Sequence, residues 1–276
     1  MPRTFAGVIL LAGTLRRDQF DMVLGRSVFG MPLSGGRTVI SVWQEQLALI
    51  GARSAPIICT ESPANSGPRS EMSGCPLRVH TDATPARGAG GALRDAAQGF
   101  DADDLLLVCG AKQVANAHLG EWARAMAACD ADLVLGSTAD RSLVDVFAVR
   151  SGALAVVPGV GFCDFKEQAV PLIARRHRVE LMTFDESPVR PVRQIADYLS
   201  IVRRSDDDGG GGVLIEAGAH VAAGARVRHS VVLAGGRVAA GAVVVDSVVG
   251  PGATIGAGQV VVRQAVGGRS GVVARL

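Results

Sequence analysis

Two rhythms of apolar and polar positions divide this chain. Through about residue 204, short unbroken apolar runs alternate with segments whose apolar residues recur every three or four positions. The first run, Ala6–Ala12, ends in Gly13 and reads as a strand buried on both faces of a parallel sheet. Thr14–Arg37 has no clean period and is expected to loop over the sheet's C-terminal edge, where α/β proteins place ligands. Thr38 then opens a helix with Val39, Trp43 and Leu47 inward and Gly51 as its stop. Strands are expected at Ala55–Cys59, Leu77–His80, Leu105–Cys109, Leu133–Gly136, Val144–Val149, Ala153–Val157 and Val179–Thr183. Helices are expected near Gly91–Gln98, Ala115–Cys129, Lys166–Arg175 and Pro191–Arg203, the last with proline at its first position. Strands alternating with helices predict a doubly wound α/β domain.

From Val213 onward the rhythm changes to apolar spacings of six, six and five. Ile215–Val231, Val232–Val248 and Val249–Ala265 superimpose without a gap at a period of seventeen residues. Ile215/Val232/Val249, Val221/Val238/Ile255 and Val227/Val244/Val261 form three apolar columns, with glycines at two recurring corners. Such a unit buries its apolar faces only by stacking on its neighbours. The pattern resembles the hexapeptide-repeat left-handed β-helix. Ser205–Gly212 (SDDDGGGG) lacks core residues and reads as a hinge. The expected division is therefore a domain over 1–204, a linker over 205–212 and a coil over 213–276. About three coils leave an end face to be covered, which predicts a homo- or hetero-oligomer joined through this region.

The net charge of +2 lends no support to a nucleic-acid partner. No apolar run of 18 residues offers a membrane span, so a soluble, cytoplasmic protein is expected. The five cysteines are scattered and form no CxxC, which favours reduced core thiols over a metal site. Lys112 and Lys166 are the only lysines.

Several segments, in order, are similar to those of the sugar-1-phosphate nucleotidyltransferases, which include mannose-1-phosphate guanylyltransferase and glucose-1-phosphate thymidylyltransferase. A buried strand ends in Leu11-Ala12-Gly13. Met31-Pro32-Leu33-Ser34-Gly35-Gly36-Arg37 resembles the family's turn before its first long helix. Arg87-Gly88-Ala89-Gly90-Gly91-Ala92-Leu93 resembles its second nucleotide-contacting segment. Leu106–Gly110 is like the strand that delivers a metal-binding aspartate, and Asp197-Tyr198-Leu199 matches the end of the catalytic domain. The resemblance implies a Rossmann-like fold and binding of a nucleotide or sugar nucleotide.

The same resemblance exposes losses. Nucleotidyl transfer brings two polyanions together and needs cations, backbone N–H groups and carboxylate-held Mg²⁺. Matched without a gap, the family's second loop glycine falls on Arg16 and its loop arginine on Asp18. Its Pro-Lys pair falls on Ser27-Val28, and its two metal aspartates on Ala111 and Pro191. The resemblance thus implies Gly13, Thr14, Arg16, Arg17, Arg26, Gly88, Gly90 and Gly91 as nucleotide- or sugar-binding residues. It leaves no catalytic residue and no metal ligand, and Mg²⁺ belongs only to an active form.

The leading expectation is a nucleotidyltransferase-like protein with catalysis lost or reduced, a regulatory or non-catalytic subunit. A rival is an active transferase in which Arg17 or Arg26 replaces the missing lysine. Others are a structural oligomerisation protein and a hexapeptide acyltransferase with His220 or His229 as general base.

Overall fold

The computed structural model describes residues 4–13, 19–59, 74–81, 85–204, 212–268 and 273–276. They fall into two compact units that do not follow chain order. Of the described residues, the first draws on 4–13, 41–59, 74–81 and 85–190, the second on 19–40, 191–204, 212–268 and 273–276. The expected linker lies almost wholly outside the described residues.

The first unit is built on one mixed sheet. Its strands are β1 (Gly7–Leu11), β2 (Ala55–Cys59), β3 (Leu77–Thr81), β4 (Leu105–Gly110), β6 (Leu133–Thr138), β7 (Leu143–Arg150) and β8 (Val179–Phe184). β5 (Gln113–Ala115) and β9 (Val189–Pro191) form a separate ribbon. The sheet order is β3-β2-β1-β4-β7-β6-β8. β3, β2, β1 and β4 run parallel, whereas β7 is antiparallel to both β4 and β6. The expected doubly wound sheet is therefore parallel in one half and mixed in the other. β6 and β7 are joined by only Ala139–Ser142, too short for a parallel crossover, so they pair as a hairpin.

Helices α1 (Val39–Leu49), α2 (Gly88–Ala96), α3 (Leu119–Ala128) and α4 (Val170–Ala174) connect these strands. On one side Ile9, Leu93, Leu106, Val108, Phe147, Val149, Leu154, Phe165 and Ile173 form one buried cluster. Burying each such side chain contributes about 1.5–3 kcal/mol before conformational entropy is counted. Elsewhere Trp122 stacks on Phe184 with ring centroids 4.1 Å apart. Gly136 makes room for that indole, because a Cβ there would lie 2.3 Å from the Trp122 ring.

Three expected elements are corrected. Ala153–Val157 is not a strand: Ser151–Val156 forms a 3₁₀ turn in which Val157 N–H donates to Leu154 O. Gly152 fits it closely against Ala102, where a Cβ would lie 2.9 Å from a carbonyl oxygen. α3 starts at Leu119, because Gln113–Ala115 is drawn into the ribbon and Asn116 Oδ1 turns the chain by accepting from His118 N–H. Pro191 closes β9 and is not the first residue of the next helix, α5 (Ile195–Arg204). Asp197 organises that helix start, accepting from the N–H groups of Arg193 and Gln194.

In the second unit the seventeen-residue columns become strand partners. Ile215 pairs with Val232, Val232 with Val249, and Val249 with Val266, all parallel. Val221–Val238–Ile255 and Val227–Val244–Val261 make the other two ladders. Except for Ile215, which stays exposed in the first row, the columns pack together as one apolar cluster. Glycines at 218, 235 and 252, and at 224, 241 and 258, turn two corners with φ between +71° and +87°. The third corner uses His229, Asp246 and Arg263 at φ +47° to +52°. A serine ladder stabilises it: Ser230 Oγ accepts from Ser247 N–H, and Ser247 Oγ from Gln264 N–H. In the last row Gln264–Val266 pairs antiparallel with Val273–Arg275.

Segment 19–40 and α5 complete this unit. Buried Tyr198 on α5 donates its hydroxyl to Pro32 O at 2.6 Å, and Phe20 meets its ring edge-on at 6.1 Å. Within the region expected to be a long loop, Phe20–Leu24 forms a helical turn ended by Gly25 at φ +60°. Among the described residues, no helix is long and apolar enough to cross a membrane.

Candidate functional site

Sheet order locates the candidate site in the first unit. The chain leaves β1 toward β2 and β3 on one side, and returns to β4 on the other. Such a switch point opens a crevice at the carboxyl ends of the two central parallel strands. Gly13 stands there, beyond β1, with φ +88° and, among the described residues, no atom within 4 Å of where a Cβ would lie. Thr14, Arg16 and Arg17, which complete the expected phosphate loop, lie outside the described residues.

Beside it, β4 ends at Gly110 and Ala111 follows. Ala111 N–H donates to Leu11 O, fastening the ends of β1 and β4 together. Trp43 Nε1 donates to Ala111 O at 3.2 Å and to Gln113 O at 2.8 Å. Ala111 itself is fully buried. The position that the resemblance assigns to a metal carboxylate thus presents a packed methyl group. The second such position, Pro191, carries no ligand atom on its side chain. Among the described residues no three His, Cys, Asp or Glu side chains converge as a metal site. Among the described residues, neither Ala111 nor Pro191 offers a carboxylate to hold Mg²⁺.

The second glycine segment meets the chain's own backbone. α2 begins at Gly88, earlier than its apolar spacing predicts, with φ +70°. Gly90 N–H donates to Cys163 O at 2.9 Å, and Cys163 N–H donates to Arg87 O at 2.8 Å. Cβ atoms on Gly88 and Gly90 would lie 2.5 and 3.0 Å from that Cys163 oxygen. A Cβ on Gly91 would press on the Arg87 side chain at 3.0 Å. All three glycines therefore serve close packing. Arg87 is itself buried, bridging Asp95 and donating to Pro158 O and Gly161 O. It anchors the loop whose tip residues, Val160 and Phe162, are exposed. Burial, with some help from the Asp164 carboxylate, pushes the Cys163 thiol up despite the opposing charge of Arg87.

One pair at this edge escaped the sequence reading. Asp145 on β7 lies directly beyond the Cys109–Val146 partner pair and therefore beside Gly110. Its Oδ1 is 2.5 Å from Lys166 Nζ, and both side chains are half exposed. Gln113 Nε2 donates to Gly110 O and, at 3.5 Å, to Asp145 O. The signal available in the sequence was the scarcity of lysine; Asp145 carried none until β7 was paired with β4.

Arg26 belongs to the second unit, where it forms a two-pronged ion pair with Glu216 at 2.6 and 2.8 Å. Val28 is buried in the same unit. His220 lies exposed on an outer coil strand, and His229 Nδ1 lies 3.6 Å from Asp246 Oδ1.

No protein-family model and no curated protein matches this chain. Solved structures do. HddC from Yersinia pseudotuberculosis is 14% identical, covers 71% of this chain and 97% of its own, and superimposes with a TM-score of 0.55. The same protein complexed with GMP-PN gives 14%, 72%, 98% and 0.52. The inositol-1-phosphate CTP transferase from T. maritima is 11% identical over 71% of this chain and 93% of its own, with a TM-score of 0.57. The chain thus shares the mixed α/β, Rossmann-like fold of nucleotidyltransferases, at identities that carry architecture alone.

Proposed function

We propose that this chain binds a nucleotide or sugar nucleotide at the switch point of its first unit, with nucleotidyl transfer lost or reduced. Ala111 is the observation that carries the reading. A buried methyl, with its carbonyl held by Trp43, occupies the place where the resemblance expects the metal-binding carboxylate. Removing one transition-state donor or cation costs about 10²- to 10³-fold in rate. Losing the carboxylates at Ala111 and Pro191 and the lysine at Val28 together is consistent with turnover near background. Backbone recognition beside Gly13 needs none of those side chains. Thr14, Arg16 and Arg17, outside the described residues, stay candidate contacts in this reading, and any anion at Arg26 must compete with Glu216. Gly88, Gly90 and Gly91 contribute by shaping the wall built on Cys163.

The test is a thermal-shift panel of nucleoside triphosphates and sugar nucleotides, with and without Mg²⁺, run beside a pyrophosphate-release assay. The expected outcome is a raised melting temperature with at least one sugar nucleotide and no pyrophosphate above background. Turnover by enzyme free of contaminating transferase overturns the loss of catalysis; a panel with no shift overturns binding.

In the same reading the region 213–276 is a left-handed β-helix of the hexapeptide class. It joins this chain to a copy of itself or to an active relative in the cytoplasm. The seventeen-residue strand register and the exposed outer valines Val260 and Val262 support an assembly role. Light scattering of the full chain at several concentrations checks it: a monomer throughout removes the homo-oligomer.

A further inference from the structure

We infer that Lys166 is a phosphate-gripping cation at the ligand edge of the sheet, held by Asp145 as an internal counter-ion that an incoming phosphate displaces. The inference rests on the binding site proposed above and assigns it a cation that the family resemblance does not supply.

Asp145 follows the partner pair Cys109–Val146 on the edge where β1 and β4 present their carboxyl ends. Its Cβ is 3.0 Å from where a Cβ on Gly110 would stand, so the two residues share one face of the sheet. Phe147, two residues along β7, points to that face as well and stacks on Phe165, with centroids 4.2 Å apart and rings 15° from parallel. Since strand side chains repeat every second residue, the Phe147–Phe165 stack lies directly inward of the Asp145–Lys166 pair. It fixes the point from which Lys166 leaves the backbone. Asp164 fixes it from the other side by accepting from Glu167 N–H at 2.9 Å.

Lys166 and Asp145 retain 46% and 43% of their side-chain accessibility, so solvent reaches the pair and so does a ligand. An ammonium is a compact charge with three rotatable donors, able to exchange a carboxylate for a phosphate oxygen without moving its backbone. A pair this exposed contributes little, so displacing the carboxylate is cheap. Until it is displaced, Asp145 repels the phosphate that Lys166 attracts. The two side chains therefore have opposite effects on anion binding, which separates this arrangement from a carboxylate that itself contacts the ligand.

Titration calorimetry with inorganic pyrophosphate, without divalent cations, tests it on the full chain and three variants. Asp145→Asn is expected to bind about two- to fivefold tighter than the parent, the range set by an exposed ion pair. Lys166→Gln is expected to bind at least about tenfold more weakly, the loss of a charge-assisted hydrogen bond, while Lys166→Arg stays near the parent. Weaker binding by Asp145→Asn, unchanged binding by Lys166→Gln, or no binding by any of the four proteins overturns the inference. Its fate is separable from that of the nucleotide reading. Pyrophosphate binding in this pattern, with no response to any nucleotide, leaves the cation in place and removes the nucleotide. Nucleotide binding indifferent to both positions does the reverse.

Discussion

Arg26 and Glu216, 190 residues apart in sequence, meet in a two-pronged ion pair at 2.6 and 2.8 Å. Glu216 Oε2 also accepts from Ala234 N–H at 2.8 Å, so one carboxylate ties segment 19–40 to two successive rows of the coil. The side chains are only 12% and 20% exposed, which limits screening. Arg26→Ala leaves that carboxylate without its cation. The expected loss is about 1.5–3 kcal/mol, the value of hydrogen bonds to charged groups, read as a lowered midpoint in urea unfolding. Arg26→Ala that keeps full stability and loses nucleotide binding would instead return Arg26 to the ligand.

Gly88→Ala tests the wall beside the site. The left-handed backbone alone costs about 1–2 kcal/mol for a residue with a Cβ. The Cys163 oxygen, 2.5 Å from the new methyl, adds to that. Gly99→Ala is the control, since nothing lies within 4 Å of its Cβ position and its φ is not positive. Thermal melts should show a clear loss for the first and a neutral or slightly raised midpoint for the second.

Val238 is fully buried between Val221 and Ile255. Val238→Ala should cost about 2 kcal/mol from lost burial and leave soluble protein. Val238→Asp buries a charge with no partner and should remove soluble expression. A folded Val238→Asp protein with an unchanged melting temperature would overturn the column.

Thiol chemistry offers a check independent of any ligand. Burial pushes the Cys109 and Cys75 thiols up, and desolvation does most of the same for Cys163. In native protein at neutral pH these three should resist iodoacetamide, while the partly exposed Cys129 labels first among these four. Peptide mapping after a short exposure reads the order; early labelling of Cys109 would contradict the sheet.

The coil was legible because its constraint is local and repeated. A residue displaced by seventeen faces the same neighbours, so Val221, Val238 and Ile255 declare their column without knowledge of the rest. β1 and β4 were legible for a similar reason, as strands buried on both faces lose their polar positions altogether. The ribbon Gln113–Ala115 and the 3₁₀ turn at Ser151–Val156 were not, because tertiary partners decide both. Within the candidate site, Gly88 and Gly90 announced that the backbone comes close to something. They did not announce that Cys163 O is what it approaches. Asp145 was invisible for the opposite reason: a lone carboxylate acquires meaning only when strand pairing sets it beside Gly110 and Lys166.

The strand Val273–Arg275, running against Gln264–Val266, sets a direction for how this protein can change length. An antiparallel strand cannot serve as the next rung of a parallel ladder, so duplication past it adds nothing that fits that face. Interior rungs are interchangeable: Val232–Val248 begins and ends in register with the rows on either side. Evolution or a protein engineer would therefore lengthen the coil as one extends a ladder with a finished top, by splicing whole seventeen-residue units into the middle and leaving the terminal strand untouched.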